Sequence, residues 1–388
     1  MFKAVAGYYK DNERLRLLVK IIAVWLISRA VMLLMVPVMN LIADEPHQWL
    51  YYMNPWDAEW YKGIVENGYQ PPKSSGMASW AFFPLYPLVC MAVRLVTMGS
   101  IDTYAVGMTV SNICIIIAVY YAVKYADIEL DMKKYNKKTV EDIIIFLMLA
   151  GPFAVYYGAM YTEALFILCV ILCFYNSARH NYMAAGIAAA MASATRIVGC
   201  MLVFVLITYM FMETCAECRA KHNSEMKDNK EAGIIDKCML TEEAGILIAG
   251  NISLASVIRT FIKNVIKEPK KLVAIMISPL GIFIYMNYLR YFCGDSWAFY
   301  HVQRAWRTQK MFPVIGVLFK SCTGQLSAAS GVKTLNGIIL GWLCVITLML
   351  YAAMIRKKHY ALGIFGIIVL LIPLTSSVMS TLRFIMGS

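Results

Sequence analysis

Residues 54–69, NPWDAEWYKGIVENGY, combine carboxylates with aromatic rings in a chain that is otherwise strongly apolar. Asp57 and Glu59 are flanked by Trp56, Trp60 and Tyr61. A carboxylate that is partly desolvated by aromatic rings can act as a general base, and the same rings can stack on a sugar. The alternative is structural: an aromatic belt anchors a helix beside the membrane, and Asp57 is the N-terminal cap of that helix. Two residues apart on a helix, the carboxylates point to different sides and need not act as a pair.

Cationic residues are concentrated later in the chain than these carboxylates, and several of them fall at the ends of apolar runs. We predict that four of them converge on one anion: Arg196, His301, Arg304 and Arg383. Phosphate is the anion that a planar guanidinium holds best, because the two can form paired hydrogen bonds. The alternative for Arg196 is a structural ion pair with Glu163. Arg29, inside the first apolar run, is expected only to snorkel inward.

Two further stretches place polar side chains beside predicted helices. Tyr161 and Glu163 in YTE follow a Gly-Pro break at 151–152, and Glu163 either contacts a substrate or caps the next helix. Residues 295–312, DSWAFYHVQRAWRTQKMF, form either an interfacial helix with snorkelling arginines or a polar lid over a lipid phosphate. The lid would consist of His301, Gln303, Trp306 and Arg307. The predicted donor-binding residues also include Trp56, Trp60, Tyr161 and Glu163.

The composition places the whole chain in a membrane. Hydrophobic residues make up 60% of the 388 and charged residues 15%, whereas about a quarter of the residues in a soluble chain are charged. Five apolar runs reach or approach the length of a membrane helix: 17–42, 104–123, 272–292, 334–355 and 360–378. Because these runs are continuous rather than alternating, we predict a single all-α polytopic membrane domain, 1–388.

The charge and the cysteines exclude several other classes of function. The net charge of +12 comes from Lys and Arg residues scattered at span ends, which is typical of topology signals, so we expect no nucleic-acid partner. Most of the 11 cysteines lie inside apolar runs, where they act as small hydrophobic residues. Cys215 and Cys218 have the CxxC spacing of a zinc site, but no second ligand pair follows them. We therefore predict no metal.

Charge asymmetry between the loops predicts the topology. The basic N-terminus indicates a cytoplasmic start, so the acidic loop 43–79 is expected to be external and to carry the catalytic residues. We predict a second external loop at 293–330 and a cytoplasmic loop at 213–271 with an amphipathic surface helix. Residues 80–98 either cross fully or form an interfacial or re-entrant piece. The break at ATRIVG predicts two short helices that place Arg196 at an outer turn rather than in mid-bilayer.

Several motifs, taken in order, resemble a known family. WDAEWYKGIVENGY, FFPLYPL, YTEALF and ATRIVG resemble the motifs of the PIG-V family, the mannosyltransferases that add the second mannose in GPI-anchor synthesis, and of its bacterial relatives. SPLGIFIYMNYLRYFCGDSWAFYHVQRAW resembles a later segment of the bacterial members, and STLRF resembles their terminal Ser…Arg-aromatic motif. The resemblance runs from about residue 20 to the end. Family members usually continue through further spans, so we expect a short member or a fragment.

The resemblance implies a GT-C glycosyltransferase fold with about eight to ten membrane helices and a catalytic aspartate in the first external loop. By this analogy Asp57 is the base, with Glu59 beside it, in a multi-pass protein of the cell membrane whose active site faces the extracytoplasmic side. An external enzyme has no access to nucleotide sugars, so a polyprenyl-phosphate sugar is the expected donor. The acceptor is a lipid or a glycan, and membrane lipids surround the protein. Transfer would invert configuration, with cationic side chains stabilising the leaving phosphate, so no cofactor is expected.

Two other classes of function compete with this interpretation. A lipid or glycolipid transporter or flippase also has broken helices and intramembrane arginines, but it is expected to show pseudo-symmetric halves, which the sequence lacks. A non-catalytic membrane scaffold would make the acidic cluster around Asp57 incidental.

Overall fold

A computed structural model describes residues 12–42, 47–152, 154–231, 253–305, 314–325 and 334–374. Within these ranges every regular element is an α-helix or a short 3₁₀ turn, and no strand occurs. The prediction of an all-α membrane protein is therefore confirmed.

The helices follow one another with short connections. The first nine are α1 (Glu13–Ile42), α2 (Trp49–Met53), α3 (Asp57–Asn67), α4 (Leu85–Val96), α5 (Thr103–Glu129), α6 (Lys137–Ala150), α7 (Ala154–Gly158), α8 (Glu163–Ala178) and α9 (Tyr182–Ser193). The remaining ones are α10 (Leu202–Glu231), α11 (Leu254–Lys267), α12 (Pro269–Ile277), α13 (Leu280–Cys293), α14 (Ala298–His301), α15 (Val314–Cys322), α16 (Thr334–Arg356) and α17 (Tyr360–Leu374). Three 3₁₀ turns lie between them, at Ser79–Ala81, Ile197–Met201 and Val302–Ala305.

Among the described residues, four helical segments are long and apolar enough to cross a membrane: Glu13–Ile42, Thr103–Glu129, Ile197–Ser224 and Leu335–Arg356. A fifth span forms if α12 and α13 are taken together, although they are bent by 43°. Pro279 lies at this bend and has no backbone N–H to continue the helical hydrogen bonds, so the apolar run 272–292 is not one straight helix. Shorter apolar helices α4, α8, α9 and α17 accompany these spans. A total of about eight to ten membrane helices is reached only if these shorter helices are counted, so that number stays a prediction.

Helix α8 lies at the centre of the bundle. Its residues from Glu163 to Val170 are all buried, as expected for a helix surrounded by other helices. Helices α5 and α9 pack on either side of it, and α10 and α17 complete the enclosure, with Phe365 of α17 set against Phe174 at 5.5 Å between ring centroids. The same bundle therefore includes chain segments from both ends of the described part.

Helix α9 is made largely of alanine and packs unusually close to its neighbours. A β-carbon at Gly281 of α13 would lie 2.3 Å from the carbonyl oxygen of Ala190, and one at Gly186 would lie 2.8 Å from Cα of Ala274 in α12. Small residues are what allow membrane helices to approach backbone to backbone.

Two helix breaks create the polar region that follows. Helix α6 ends at Ala150, just before Gly151 and Pro152, and the chain returns through α7 into α8. Helix α9 ends at Ser193, and Arg196 is extended (φ −153°, ψ 145°) before the next 3₁₀ turn. Both breaks are at the positions that the sequence predicts. They bring the segment 159–163 and Arg196 to one end of the central bundle.

The predicted cytoplasmic loop, residues 213–271, is partly helical. Helix α10 continues to Glu231, so the first part of the predicted cytoplasmic loop is helical. Helix α11 lies against α10, with Phe261 and Phe211 5.7 Å apart, and carries Arg259, Lys263 and Lys267. The assignment of this region to the cytoplasmic side stays a prediction.

Candidate active site

Asp57 occupies the first position of α3, at a sharp corner of the chain. The preceding residue, Trp56, has φ 52° and ψ −105°, a conformation that a bulky L-residue rarely adopts. Trp56 takes the cap position and makes no side-chain capping bond, so Asp57 is the first helical residue rather than the cap. The ring of Trp56 is 74% exposed, whereas Asp57 is half-buried. Strained backbone of this kind persists only where neighbours hold it in place, and it is common at functional sites.

The neighbours that hold this corner come from the segment after α7. The Oδ1 atom of buried Asn54 accepts a hydrogen bond of 2.7 Å from the backbone N–H of Met160, while its Nδ2 donates to the carbonyl of Leu50. The hydroxyl of Tyr161 donates to the carbonyl of Pro55. Because the Tyr161 ring is fully buried, the structure gives it a positioning role. Its predicted contact with a substrate stays a prediction.

Glu163 and Arg196 form an ion pair beneath the corner. The Oε1 atom of Glu163 lies 3.0 Å from Nη1 of Arg196, and the two side chains are only 4% and 15% exposed. Glu163 is the first residue of α8, where the helix dipole also favours a negative charge. This pair is the alternative that the sequence left open for Arg196. A contact between Arg196 and a donor phosphate stays a prediction.

The hydroxyl of Tyr61 links the corner to this pair. Tyr61 lies one turn after Asp57 on α3, is buried, and is 3.4 Å from the hydroxyl of Thr162. Burial raises the pKa of Tyr61 most, and the negative charges of Glu163 and Asp57 raise it further, while the positive charge of Arg196 lowers it. All three charged groups therefore lie within electrostatic range of one hydroxyl. The structure thus brings together three of the residues that the sequence singled out.

An aromatic wall stands beside Asp57. The ring of Trp60 stacks on Phe82 at 5.6 Å between centroids, and the ammonium group of Lys73 lies 4.7 Å from the centre of the Trp60 ring. Phe82 also meets Tyr61 edge to face. Glu59 is exposed and lies within electrostatic range of Tyr104. A wall of this kind suits stacking on a sugar ring, although that contact and a catalytic role for Glu59 stay predictions.

The segment 295–305 adjoins the other side of this wall. Phe83 contacts Phe299 at 5.4 Å, and the hydroxyl of Tyr285 donates to the carbonyls of Trp80 and Phe82. The consecutive phenylalanines of FFPLYPL thus join α3 to the later segment, with Phe82 against α3 and Phe83 against Phe299.

The predicted donor ligands of this segment are only partly described. Nδ1 of His301 is hydrogen-bonded to Oδ2 of Asp295 at 2.6 Å, and this bond holds the pKa of the Asp295 carboxyl below its usual range. Gln303 is half-buried in the 3₁₀ turn. The side chain of Arg304 and the whole of Arg383 lie outside the described residues. The convergence of these groups on one anion is therefore still a prediction.

Sequence reasoning missed two polar residues and misjudged a third. Asn54 anchors the corner, and the Asn-Pro pair that begins NPWDAE was the available signal for a turn. Asn112 lies within the apolar run of α5, where a polar side chain is expected to have a specific partner. Arg29 was expected to snorkel inward, but its Nε donates to Oδ1 of Asn112 at 2.8 Å and its Nη1 donates to the carbonyl of Ala154 at 3.1 Å. Acceptors inside the bundle hold it, so that expectation is corrected.

No group of three or more His, Cys, Asp or Glu side chains lies close enough to hold a metal ion in the part of the chain that the structure describes. The site itself places a half-buried carboxylate beside aromatic rings, with a buried ion pair behind it. Such a site can remove a proton from a hydroxyl group near a sugar.

Comparison with known protein families gives a match over the first part of the chain. Residues 14–232, more than half of the chain, match the family model described as mannosyltransferase (PIG-V). No curated protein and no solved structure matched the chain. The matched range contains the Asp57 corner, the Glu163–Arg196 pair and the aromatic wall, whereas the segment 295–305 lies beyond it.

Proposed function

The chain belongs to the mannosyltransferase (PIG-V) family, and we propose that this membrane mannosyltransferase takes mannose from a polyprenyl-phosphate donor and transfers it, with inversion, to a hydroxyl of a lipid or glycan acceptor. The observation that carries the proposal is the Asp57 corner, in which a half-buried carboxylate follows two residues, Asn54 and Pro55, that are bonded to Met160 and Tyr161. A GT-C type of membrane fold is part of the same proposal.

Asp57 is the general base in this scheme. The acceptor hydroxyl oxygen attacks C1 of mannose, Asp57 takes the hydroxyl proton, and the bond between C1 and the phosphate oxygen breaks. Polyprenyl phosphate leaves with the bonding electron pair. The strained Trp56 and the bonds from Met160 and Tyr161 support this role because they fix the chain just before Asp57 while the site is still empty of substrate.

The buried ion pair has a positioning role in the proposal. Arg196 is already paired with Glu163, so its charge is largely compensated inside the protein. Both charges of the pair lie within electrostatic range of Tyr61, which lies one helical turn from the base. The leaving phosphate then needs further cations, and His301, Arg304 and Arg383 are the predicted ones.

Helix lengths support a site recessed into the membrane. At 1.5 Å per residue, the 16 residues of α8 span about 24 Å and the 12 residues of α9 about 18 Å. Both are shorter than the hydrocarbon core, which is about 30 Å thick. The turn between the two helices carries Arg179, and we place it at the cytoplasmic surface. The opposite ends of α8 and α9 then stop short of the extracytoplasmic surface. The Asp57 corner then lies at a depth that the phosphate of a membrane lipid can reach.

Contacts between distant segments support the proposed sidedness. The loop that follows α3 and the segment 295–305 share the aromatic wall, whereas α11 packs against α10 in the part of the chain that follows Tyr209. We propose that the first two face the extracytoplasmic side of the cell membrane and that α11 lies on the cytoplasmic side.

The test is transfer from a short-chain prenyl-phosphate mannose with radiolabelled mannose, using a membrane lipid extract as the acceptor. Asp57→Asn keeps the shape but removes the base, so the rate is expected to fall by ~10²–10⁴. The matched control is Asp131→Asn, an exposed aspartate in the turn between α5 and α6. Correctly inserted Asp57→Asn protein that transfers mannose at the wild-type rate would falsify the assignment. A flippase would move the lipid without releasing prenyl phosphate, in wild type and variant alike.

A further inference from the structure

Arg29 lies deep within the first membrane helix. It is 16 residues after Glu13, or about 24 Å along α1. Its side chain is half-buried and turns into the bundle, where its donors meet Oδ1 of Asn112, the carbonyl of Ala154 and the sulfur of Met32. This depth and these contacts differ from those of a cation that reaches for the membrane surface.

Among the described residues, the contacts of Arg29 leave its charge uncompensated. Each acceptor is neutral: an amide, a backbone carbonyl and a thioether. Among the described residues no acceptor reaches its Nη2 atom, although that atom is buried. An ionised group inside a membrane is unfavourable unless it has a partner of opposite charge, and such groups commonly mark ligand sites. An anion beside Nη2 would provide both the missing charge and the missing acceptor.

The surroundings of Arg29 are continuous with the Asp57 corner. Nδ2 of Asn112 donates to the carbonyl of Gly158, and Nδ2 of Asn54 contacts the sulfur of Met108 on the turn above Asn112. Two residues after Gly158, the N–H of Met160 donates to Asn54. One short segment therefore contacts the guanidinium at its start and the catalytic corner at its end.

Glycine at position 158 is what allows this approach. A β-carbon there would lie 2.9 Å from Cζ and 2.9 Å from Nη1 of Arg29, closer than real β-carbons come to other atoms. Position 158 therefore offers a way to displace the guanidinium without removing its charge.

The remaining face of α1 is apolar and open. Leu26, Ile27 and Leu34 are exposed along it, and in a membrane such residues contact lipid chains. A lipid whose phosphate reached Arg29 could lay its hydrocarbon tail along this face.

We propose that the Arg29 guanidinium binds the phosphate ester of a lipid that enters along α1, and that this lipid is the prenyl-phosphate donor or product. The inference rests on the proposed function for the identity of the lipid, and on the contacts of Arg29 for the site. Guanidinium holds phosphate through paired, charge-assisted hydrogen bonds, which lysine cannot reproduce.

Binding of a short-chain prenyl phosphate without sugar, titrated in detergent micelles and followed by native mass spectrometry, tests the site separately from turnover. Hydrogen bonds to charged groups are strong enough that Arg29→Gln is expected to bind it at least ~10-fold more weakly, with Arg29→Lys between that variant and wild type. The prenyl alcohol of the same length, which lacks phosphate, should bind wild type and variant equally. Arg290→Gln, which removes an exposed arginine at the end of α13, is the charge-matched control. Wild-type affinity in Arg29→Gln overturns the proposal.

Gly158→Ala keeps the charge of Arg29, so it provides a second test of the site if Arg29→Gln fails to fold. It should also weaken prenyl-phosphate binding, whereas Gly316→Ala, at a position with open space around its β-carbon, should not. Phosphatidylglycerol is titrated in parallel: weakening confined to that lipid would mean a structural lipid headgroup and would overturn the donor assignment. Asp57→Asn should bind prenyl phosphate normally while losing transfer. If wild type transfers no mannose but binding still depends on Arg29, the proposed function fails and the phosphate site stands.

Discussion

Arg196 and Arg29 are both held inside the helical bundle near the same corner of the chain, but their partners differ in charge. Arg196 lies 3.0 Å from the carboxylate of Glu163, which is itself 4% exposed. Arg29 is held by Asn112, Met32 and a backbone carbonyl. In the first arrangement the two charges compensate each other, whereas among the described residues the second has only neutral acceptors.

The difference separates two uses of arginine in a membrane protein. A buried ion pair contributes little net stability, but removing one partner is costly because the other charge is left buried. A guanidinium with neutral acceptors has no such partner to lose, and it favours any anion that reaches it. For Arg196 the sequence left open a phosphate ligand or an ion pair with Glu163, and it offered no ligand for Arg29. The contacts show the ion pair of Arg196, and they are the basis for proposing a phosphate ligand at Arg29.

The largest expected effect comes from breaking the compensated pair. Glu163→Gln leaves Arg196 as a buried charge without this carboxylate, so the free energy of unfolding in mixed micelles should fall by about 3–5 kcal/mol. The control is Asp142→Asn, which breaks the more exposed pair with Lys20 and should cost no more than about 1 kcal/mol. A loss in Glu163→Gln as small as that of the control would remove the contrast between the two arginines.

Arg29→Gln should destabilise the ligand-free protein less than Arg196→Gln does. It removes hydrogen bonds from a charged donor to neutral acceptors, each worth about 1.5–3 kcal/mol, but it also removes an uncompensated charge, which offsets part of that loss. Unfolding of both variants under the same conditions gives the comparison. Equal losses would indicate that Arg29 is as structural as Arg196, and the phosphate site would lose its physical basis.

Tyr161→Phe tests the support of the Asp57 corner. Loss of the hydroxyl leaves the carbonyl of Pro55 without that donor, so the free energy of unfolding should fall by about 1 kcal/mol. If the corner positions Asp57, kcat should fall as well, while prenyl-phosphate binding stays the same. Tyr291→Phe, at a fully accessible ring, is the matched control and should change neither quantity. Unchanged kcat in Tyr161→Phe would show that the bond from Tyr161 to Pro55 is structural only.

The smallest effect is expected in the segment 295–305. Asp295→Asn breaks an exposed ion pair with His301, and the free energy of unfolding at pH 7 should change by less than about 0.5 kcal/mol. The folded state lowers the pKa of Asp295, so the stability it adds is present above the ordinary carboxyl pKa and is lost as pH falls through the lowered value. Unfolding followed at pH 7 and in the acid range measures both. A large loss of unfolding free energy at pH 7 would mean that the ion pair stabilises this segment more than its exposure indicates.

Much of the fold could be predicted from the pattern of residue types. Continuous apolar runs exclude strands, and the Gly-Pro pair at 151–152 ends a helix because proline lacks the N–H that would continue it. The break around Arg196 followed from the cost of an arginine in mid-bilayer. The bend between α12 and α13 was missed, although Pro279 was the signal for it.

Less of the candidate site could be predicted. Asp57 stood out because a carboxylate among aromatic rings is rare in an apolar chain. Its supports did not stand out, since Asn54, Met160 and Tyr161 act through bonds that join positions about a hundred residues apart. No local pattern encodes which of these groups meet.

The sequence by itself determined the membrane class, the helical content and the residue types that can do chemistry, because hydropathy, proline and charge act over a few neighbouring residues. Only the tertiary structure decided which charges compensate each other. Glu163 and Arg196 lie 3.0 Å apart because α8 and α9 pack closely and end at the same level, and Arg29 meets Asn112 because α1 lies against α5. Electrostatic partners depend on distances of a few ångströms between segments far apart in the chain, and packing alone sets those distances.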